Sequence, residues 1–285
     1  MIILETKVKK ITAVAAIAAL CGIALRIVQL EFIIDSANGF FRKGYEAVGI
    51  TVSVMVFVFA ALSAAFAAAC KLPLNKTPKM TAAFAAANFI MPAAVIYEAL
   101  FTKIGTAIPS WQILAQVFFG VLCAAVFVLN GLSFFGKIKA SPMLDVVFVA
   151  FWLIRVMVMF SSYVSVSTIA ENVFELAALC TTLVFFLNAA KFKNGVSDGK
   201  TAVMLTGVLA LVCCAVYGVP QIAVMLFGKS EMLHNSGITG FTDVATVIYI
   251  SAFIHMYYFK REEPLADKPE QNEYANSVAD TQNDF

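Results

Sequence analysis

Residues 201–227 read TAVMLTGVLALVCCAVYGVPQIAVMLF, an uninterrupted run without a charged side chain. About 20 apolar residues cross the hydrocarbon core of a bilayer, so such a run predicts a transmembrane helix. Of the 285 residues in the whole chain, 61% are hydrophobic and 13% are charged, and the mean hydropathy is +0.87. Soluble domains are about half apolar and about a quarter charged. The composition therefore excludes a soluble globular protein and indicates a polytopic integral membrane protein.

Seven further runs resemble this one, and the eight together predict an all-α fold with eight transmembrane helices. They lie at residues 11–30, 47–69, 81–101, 112–135, 143–164, 170–190, 201–227 and 241–259. We expect one transmembrane domain over residues 1–259. Residues 260–285 carry seven acidic and three basic side chains without periodicity, which predicts a disordered acidic cytoplasmic tail. Little chain is left for a soluble catalytic or nucleotide-binding domain.

The number of basic residues per connecting segment alternates between high and low along the chain. With a cytoplasmic N-terminus, the inside segments hold fourteen of the twenty lysines and arginines, and the outside loops hold four. The positive-inside rule then places both termini in the cytoplasm of a multi-pass cell-membrane protein. The Ala- and Phe-rich composition with short loops is typical of a prokaryotic plasma membrane. As an alternative, the first span also resembles a signal peptide, and its cleavage would leave seven spans.

Marker residues recur at a similar distance in the two halves of the chain. Arg26 and Arg155, the two arginines within spans, are 129 residues apart, and Pro92 and Pro220 are 128 residues apart. This spacing predicts a parallel four-plus-four repeat with halves at residues 1–140 and 141–259. In transporters built from repeats, the binding site lies between the repeated units. Coincidence between two pairs of residues is the alternative explanation.

Most polar side chains within the spans fall in the half of the membrane predicted to be outer. A charge at the bilayer centre costs about 2.5–3.5 kcal/mol on insertion scales, so it usually faces a partner or water. A guanidinium offers a planar fork for a carboxylate or phosphate group. We expect an outward-facing polar cavity for a small charged or zwitterionic solute. The candidate binding residues are Arg155, Glu175, Glu171, Arg26, Tyr163, Tyr217, Gln221 and Glu98.

Several of these charges also have a purely structural interpretation. Arg155 and Glu175 can form a static pair that orients two neighbouring helices. Arg26 can extend to the outer headgroups beside Glu31. The acids near predicted span ends can simply meet water, and these are Glu98, Asp243 and Asp145.

Sequence motifs for catalysis and cofactor binding are absent from the chain. No Gly-rich phosphate-binding loop and no Gly-x-Ser-x-Gly motif occur, and there are only two histidines, His234 and His255. We therefore predict no catalytic residues, no cofactor and no metal site, although an enzyme without a known motif stays an open alternative. The net charge of +2 comes from the lysines that set topology, which argues against nucleic-acid binding.

The pattern favours a membrane transporter or solute-binding protein whose partners are the lipid bilayer and a small polar or anionic solute. One alternative is a membrane sensor or assembly component that contacts a cytoplasmic protein through residues 260–285. Another is a membrane-embedded lipid-modifying enzyme that uses Glu171, Glu175 and Tyr163.

Overall fold

A computed structural model of the chain describes residues 2–35, 40–70, 78, 80–101, 110–136, 141–163, 169–196, 199–228 and 238–259. Eight of its helices are long and apolar enough to cross a membrane, which confirms the predicted all-α class and the presence of eight membrane-length helices. The described part of the chain contains no strand beyond an isolated bridge between Ile34 and Phe41.

The helices match the predicted runs to within a few residues, except at the N-terminus. They are α1 (Ile2–Val28, extended by a π-helical turn at Gln29–Ile33), α2 (Glu46–Ala69), α3 (Ala82–Phe101), α4 (Ser110–Leu132), α5 (Val146–Tyr163), α6 (Ile169–Lys193), α7 (Lys200–Leu226) and α8 (Ile238–Ile254, extended by a π-helical turn at His255–Phe259). Helix α1 begins nine residues before the predicted span because its lysines and glutamate are good helix formers. Short 3-10 turns follow α4 and precede α5.

Helix α7 lies at the centre of the bundle and packs against α1, α2, α6 and α8. Its residues are buried almost continuously from Val203 to Gln221. A helix that is hydrophobic all round is expected to be buried, and the uncharged run at 201–227 has this property. A closed ring is formed by six helices, each in contact with the next: α3, α4, α5, α6, α7 and α8, which returns to α3. The α1–α2 hairpin packs against α7.

The two halves of the chain make different helix contacts. Helix α7 packs against four helices, whereas α3, its counterpart in a four-plus-four repeat, packs mainly against α4 and α8. The repeat therefore stays a prediction from the spacing of arginines and prolines.

Contacts between helix ends define two sides of the bundle. The Lys7 ammonium donates to the Cys70 carbonyl, and the Tyr258 hydroxyl donates to the Lys200 carbonyl. The four residues lie at ends of α1, α2, α7 and α8. We call this side of the bundle the N-terminal side, because α1 begins there. The opposite ends of the same helices form the far side.

Two glycines allow α7 and α8 to approach closely near the far side. A Cβ atom on Gly218 would lie 2.9 Å from the Gly240 carbonyl oxygen, and one on Gly240 would lie 2.9 Å from the Gln221 Cβ. Small residues permit such close contact between helices within membranes. The approach brings Gln221 on α7 beside the first turns of α8, where Asp243 follows Gly240 by about one turn.

An aromatic layer fills the bundle between its two sides. The rings of Phe127 and Phe148 stack with centroids 4.1 Å apart, Trp152 and Phe186 are 4.7 Å apart, and Tyr249 lies 5.2 Å from Phe127. The layer consists of buried rings from α3, α4, α5, α6 and α8, namely Phe84, Phe127, Phe148, Trp152, Phe185, Phe186, Tyr249 and Phe253. Because aromatic pairs contribute about 0.5–1.5 kcal/mol beyond area burial, the layer ties these five helices together.

Candidate functional site

Arg155 on α5 joins three helices through two buried acids. Its Nε donates to Glu98 Oε1 on α3 at 2.7 Å, and its Nη1 lies 3.8 Å from Asp243 Oδ1 on α8. The side chains of all three residues are no more than 3% exposed. The guanidinium carbon also lies 5.6 Å from the centre of the Trp152 ring system. Glu98 and Asp243 thus pair with an arginine inside the bundle, and the interpretation that they mark water boundaries is wrong.

Arg26 on α1 is the second buried guanidinium. Its Nη1 donates to Gln29, whose amide nitrogen in turn donates to the Gly49 carbonyl and the Ser53 hydroxyl at 2.9 Å each. The guanidinium carbon lies 4.4 Å from the ring centre of Phe174, a cation–π distance. Because Arg26 is only 1% exposed, the alternative that it extends to the headgroups is wrong.

Glu171 and Glu175 lie one turn apart on α6 and are both buried. Glu171 accepts a hydrogen bond from the Gln221 amide on α7 and interacts electrostatically with Arg26. Glu175 is hydrogen-bonded to Tyr217, also on α7, and interacts electrostatically with Arg155. The two glutamates therefore connect the Arg26 region to the Arg155 region.

These contacts form one continuous group, which we call the buried charge network. It comprises Arg26, Glu98, Arg155, Glu171, Glu175, Tyr217, Gln221 and Asp243. Seven of the eight binding residues predicted from the sequence lie within it. The eighth, Tyr163, ends α5, and its side chain lies outside the described residues. The predicted interaction between Arg155 and Glu175 is part of the network. The acid that accepts a hydrogen bond from Arg155, however, is Glu98.

Several buried polar atoms in and beside the network make no hydrogen bond with the described part of the chain. They include Arg26 Nη2, Trp152 Nε1, Arg155 Nη1 and Gln221 Oε1. Leaving a buried donor or acceptor unsatisfied costs about 1–3 kcal/mol. A ligand or bound water that supplied one donor and several acceptors would remove this cost.

The network is enclosed by the helices that carry it. Its eight residues are between 1% and 6% exposed. The predicted opening toward the outside of the membrane therefore stays a prediction.

A second charged pair lies near the N-terminal side, beyond the aromatic layer. Lys193 Nζ is 2.8 Å from Asp145 Oδ2, and the Asn130 amide donates to the other oxygen of Asp145 at 3.5 Å. The Lys193 ammonium also lies 5.7 Å from the centre of the Phe253 ring. Asp145, Lys193 and Asn130 line a cavity of about 280 Å³. Since Asp145 is 4% exposed, the expectation that it simply reaches solvent is wrong.

The role of Asp243 was underestimated from the sequence, although a signal for it exists. The polar residues of α8 recur at intervals of three or four and share one buried face, with Thr239, Thr242, Asp243, Thr246 and Tyr249. Such a polar stripe on a membrane helix indicates a face that packs against protein rather than lipid. Trp152 was also missed, although it precedes Arg155 by three residues on the same helical face.

No protein-family model matches this chain, and neither the curated proteins nor the solved structures provide a match. The function has to be inferred from the chain's own residues and their geometry.

We predict that Arg155 and Glu98 are energetically coupled. Arg155→Gln should lower the free energy of unfolding by about 3–5 kcal/mol, because it leaves buried acids without their cation. Adding Glu98→Gln should restore at least ~1 kcal/mol of this loss. Unfolding by denaturing detergent in mixed micelles measures both changes.

Arg42→Gln is the matched control, because Arg42 is exposed. It should change stability by no more than about 0.5 kcal/mol. Strictly additive effects of Arg155→Gln and Glu98→Gln would show that the pair does not stabilise the fold.

Proposed function

We propose that this protein is a membrane transporter that binds a small charged or zwitterionic solute at the buried charge network. The observation that supports this most directly is that two guanidiniums and four carboxyl groups are buried within membrane-length helices. These groups lie on α1, α3, α5, α6 and α8, and side chains of α7 join them. Ionisable residues inside membranes are costly and commonly mark substrate or ion pathways. Orienting the helices does not require six charged groups, because well-packed apolar residues often stabilise a fold equally well.

The buried polar atoms that lack a hydrogen bond favour a solute that carries both a positive and a negative charge. Arg26 Nη2 and Arg155 Nη1, which make no hydrogen bond with the described part of the chain, suit a carboxylate or phosphate group. The Gln221 carbonyl oxygen and the neighbouring carboxyl groups suit an ammonium group. A small zwitterion would satisfy both sets.

The layers below the network support transport rather than simple binding. The aromatic layer and the Asp145–Lys193 pair separate the network from the N-terminal side. Pro92 in α3 and Pro220 in α7 each remove one hydrogen bond from a helix that contributes to the network. Prolines are common sites of helix bending, so these helices have places where they could bend to open one side.

The proposal places the N-terminal side in the cytoplasm and the far side outside the cell, at a prokaryotic plasma membrane. The excess of lysines and arginines in the connections of the N-terminal side supports this orientation.

We predict that intact cells expose the far side alone. In a cysteine-free background, a membrane-impermeant maleimide should label Lys43→Cys, in the connection between α1 and α2, and should leave Ser141→Cys unlabelled. Both positions are solvent-exposed, so the pair is matched. Labelling of Ser141→Cys in sealed cells would reverse the orientation.

No observation favours the other two functions as second candidates. The tail proposed to contact a cytoplasmic partner, residues 260–285, lies outside the described residues. Apolar grooves of about 530 and 550 Å³ lie between α1 and α2 and between α3 and α8, but no acidic residue occurs among their described lining residues. Glu171 and Glu175, the acids of the lipid-enzyme hypothesis, are instead buried in the network.

We predict that a zwitterion stabilises the purified protein. Thermal unfolding in lipid nanodiscs would be followed against amino acids, sugars, nucleosides, organic anions and lipids. A ligand at about 100 times its dissociation constant adds about 2.7 kcal/mol to the native state. Only charged or zwitterionic compounds should raise the midpoint, and a compound that does would then be tested for uptake into proteoliposomes.

Two substitutions test whether such binding occurs at the network. Arg155→Lys keeps the charge but loses the planar fork, and Gln221→Met keeps the size of the side chain but loses its carbonyl oxygen. Both should abolish the shift, whereas Arg42→Gln should keep it. A shift that survives both network variants, or a panel in which only uncharged compounds bind, would contradict the proposal.

A further inference from the structure

The buried charge network contains more acids than bases. Among the described residues it holds two arginines and four carboxyl groups, so its formal charge is −2 with every group ionised. The acids are shared unequally between the two guanidiniums. Arg155 lies near Glu98, Asp243 and Glu175, whereas Arg26 lies near Glu171.

A net charge of this size is not stable without compensation inside a membrane bundle. Buried charges are normally paired, because transfer of an isolated ion from water costs several kcal/mol even after the protein relaxes. The network is at most 6% exposed, so water screens it little. Two positive charges must therefore be supplied by something that binds there.

The arrangement of the acids favours protons over a metal ion. Metal ions in proteins need several ligands that converge on one point. Within the described ranges, no three His, Cys, Asp or Glu side chains lie close enough to hold a metal ion. A proton needs only one carboxyl oxygen and a neighbouring acceptor, which side chains strung along a network can supply.

The contacts indicate which carboxyl groups carry the protons. Glu98 accepts directly from the Arg155 guanidinium at 2.7 Å and is therefore the ionised partner. Glu175 faces Glu171 on its own helix, Arg155 on α5, Tyr217 on α7 and Asp243 on α8. Two of these four neighbours are acids, and the one cation among them is already shared by Glu98 and Asp243.

We propose that the buried charge network holds two protons at neutral pH, one on Glu175 and one on another of its carboxyl groups, and that an ammonium group of the solute displaces one of them. The inference rests on the proposed function only for the identity of the displacing group. In the exchange, the ammonium takes the place of the proton beside a carboxyl group, the carboxyl becomes a carboxylate, and the proton leaves to solvent. A solute whose only charge is the ammonium group leaves the network neutral, so the transport of such a solute is coupled to the release of a proton.

Infrared spectroscopy of the full chain in lipid vesicles tests the proposal, because a protonated carboxyl group has a C=O stretching band separate from that of a carboxylate. At neutral pH the wild-type protein should show this band. Glu175→Gln, which has the shape of a protonated glutamate, should lose about half of its intensity and should unfold at the same temperature as the wild type. Glu46→Gln, at an exposed acid in the first turn of α2, should change neither quantity.

Displacement is tested with methylammonium chloride as the smallest probe of a primary ammonium group, and with sodium chloride at equal concentration as the control. At constant pH, methylammonium should reduce the band and sodium should not. The proposal is overturned by a wild-type protein without the band, by a band that Glu175→Gln leaves intact, or by a band that methylammonium leaves unchanged.

The protein alone gives the band, so this test is independent of solute transport. A solute transporter without protonated carboxyl groups would refute this inference alone. Protonated carboxyl groups in a protein that no charged or zwitterionic compound stabilises would refute the proposed function alone.

Discussion

A charge in the hydrocarbon core must be paired within the protein, and in this chain Arg155 satisfies that constraint with acids from two other helices. Glu98 on α3 and Asp243 on α8 lie within 2.7 and 3.8 Å of its guanidinium. Once α3, α5 and α8 are fixed in this way, Glu175 on α6 faces the same arginine. Tyr217 and Gln221 then connect α6 to the central helix α7. The electrostatic requirement of one side chain thus determines much of how the ring of helices closes.

The apolar parts of the bundle make this arrangement specific. Gly218 and Gly240 bring α7 and α8 close enough for Asp243 to lie beside the network, because a Cβ at either position would meet neighbouring atoms at about 2.9 Å. On the other side of the network, the aromatic layer fills the bundle and separates two levels of charge. The Asp145–Lys193 pair forms the second level, near the N-terminal side. A polar centre bounded by an aromatic layer and a second ion pair agrees with the transport function proposed above.

The sequence predicts the helices well because membrane insertion depends on local hydropathy. Eight runs become eight helices, and seven of the eight intramembrane polar residues identified as candidate ligands lie in one network. Their pairing was not predictable, since Arg155 meets Glu98 across 57 residues of sequence and the choice between Glu98 and Glu175 depends on how the helices pack. The same reason explains Asp145, which follows a loop in the sequence but is covered once Lys193 packs against it. The central position of α7 was suggested by its uncharged run, but its four neighbours follow only from the tertiary structure.

The central claim is that Arg155 is paired with Glu98 inside the bilayer, and a solid-state NMR distance tests it most directly. The protein would be labelled with ¹⁵N in arginine and ¹³C in the glutamate carboxyl groups, and reconstituted in lipid vesicles. Dipolar recoupling should detect a guanidinium nitrogen within hydrogen-bonding distance of a carboxyl carbon. That signal should disappear in Glu98→Gln and persist in Glu46→Gln. A wild-type spectrum without the contact, or one that Glu98→Gln leaves unchanged, would contradict the account.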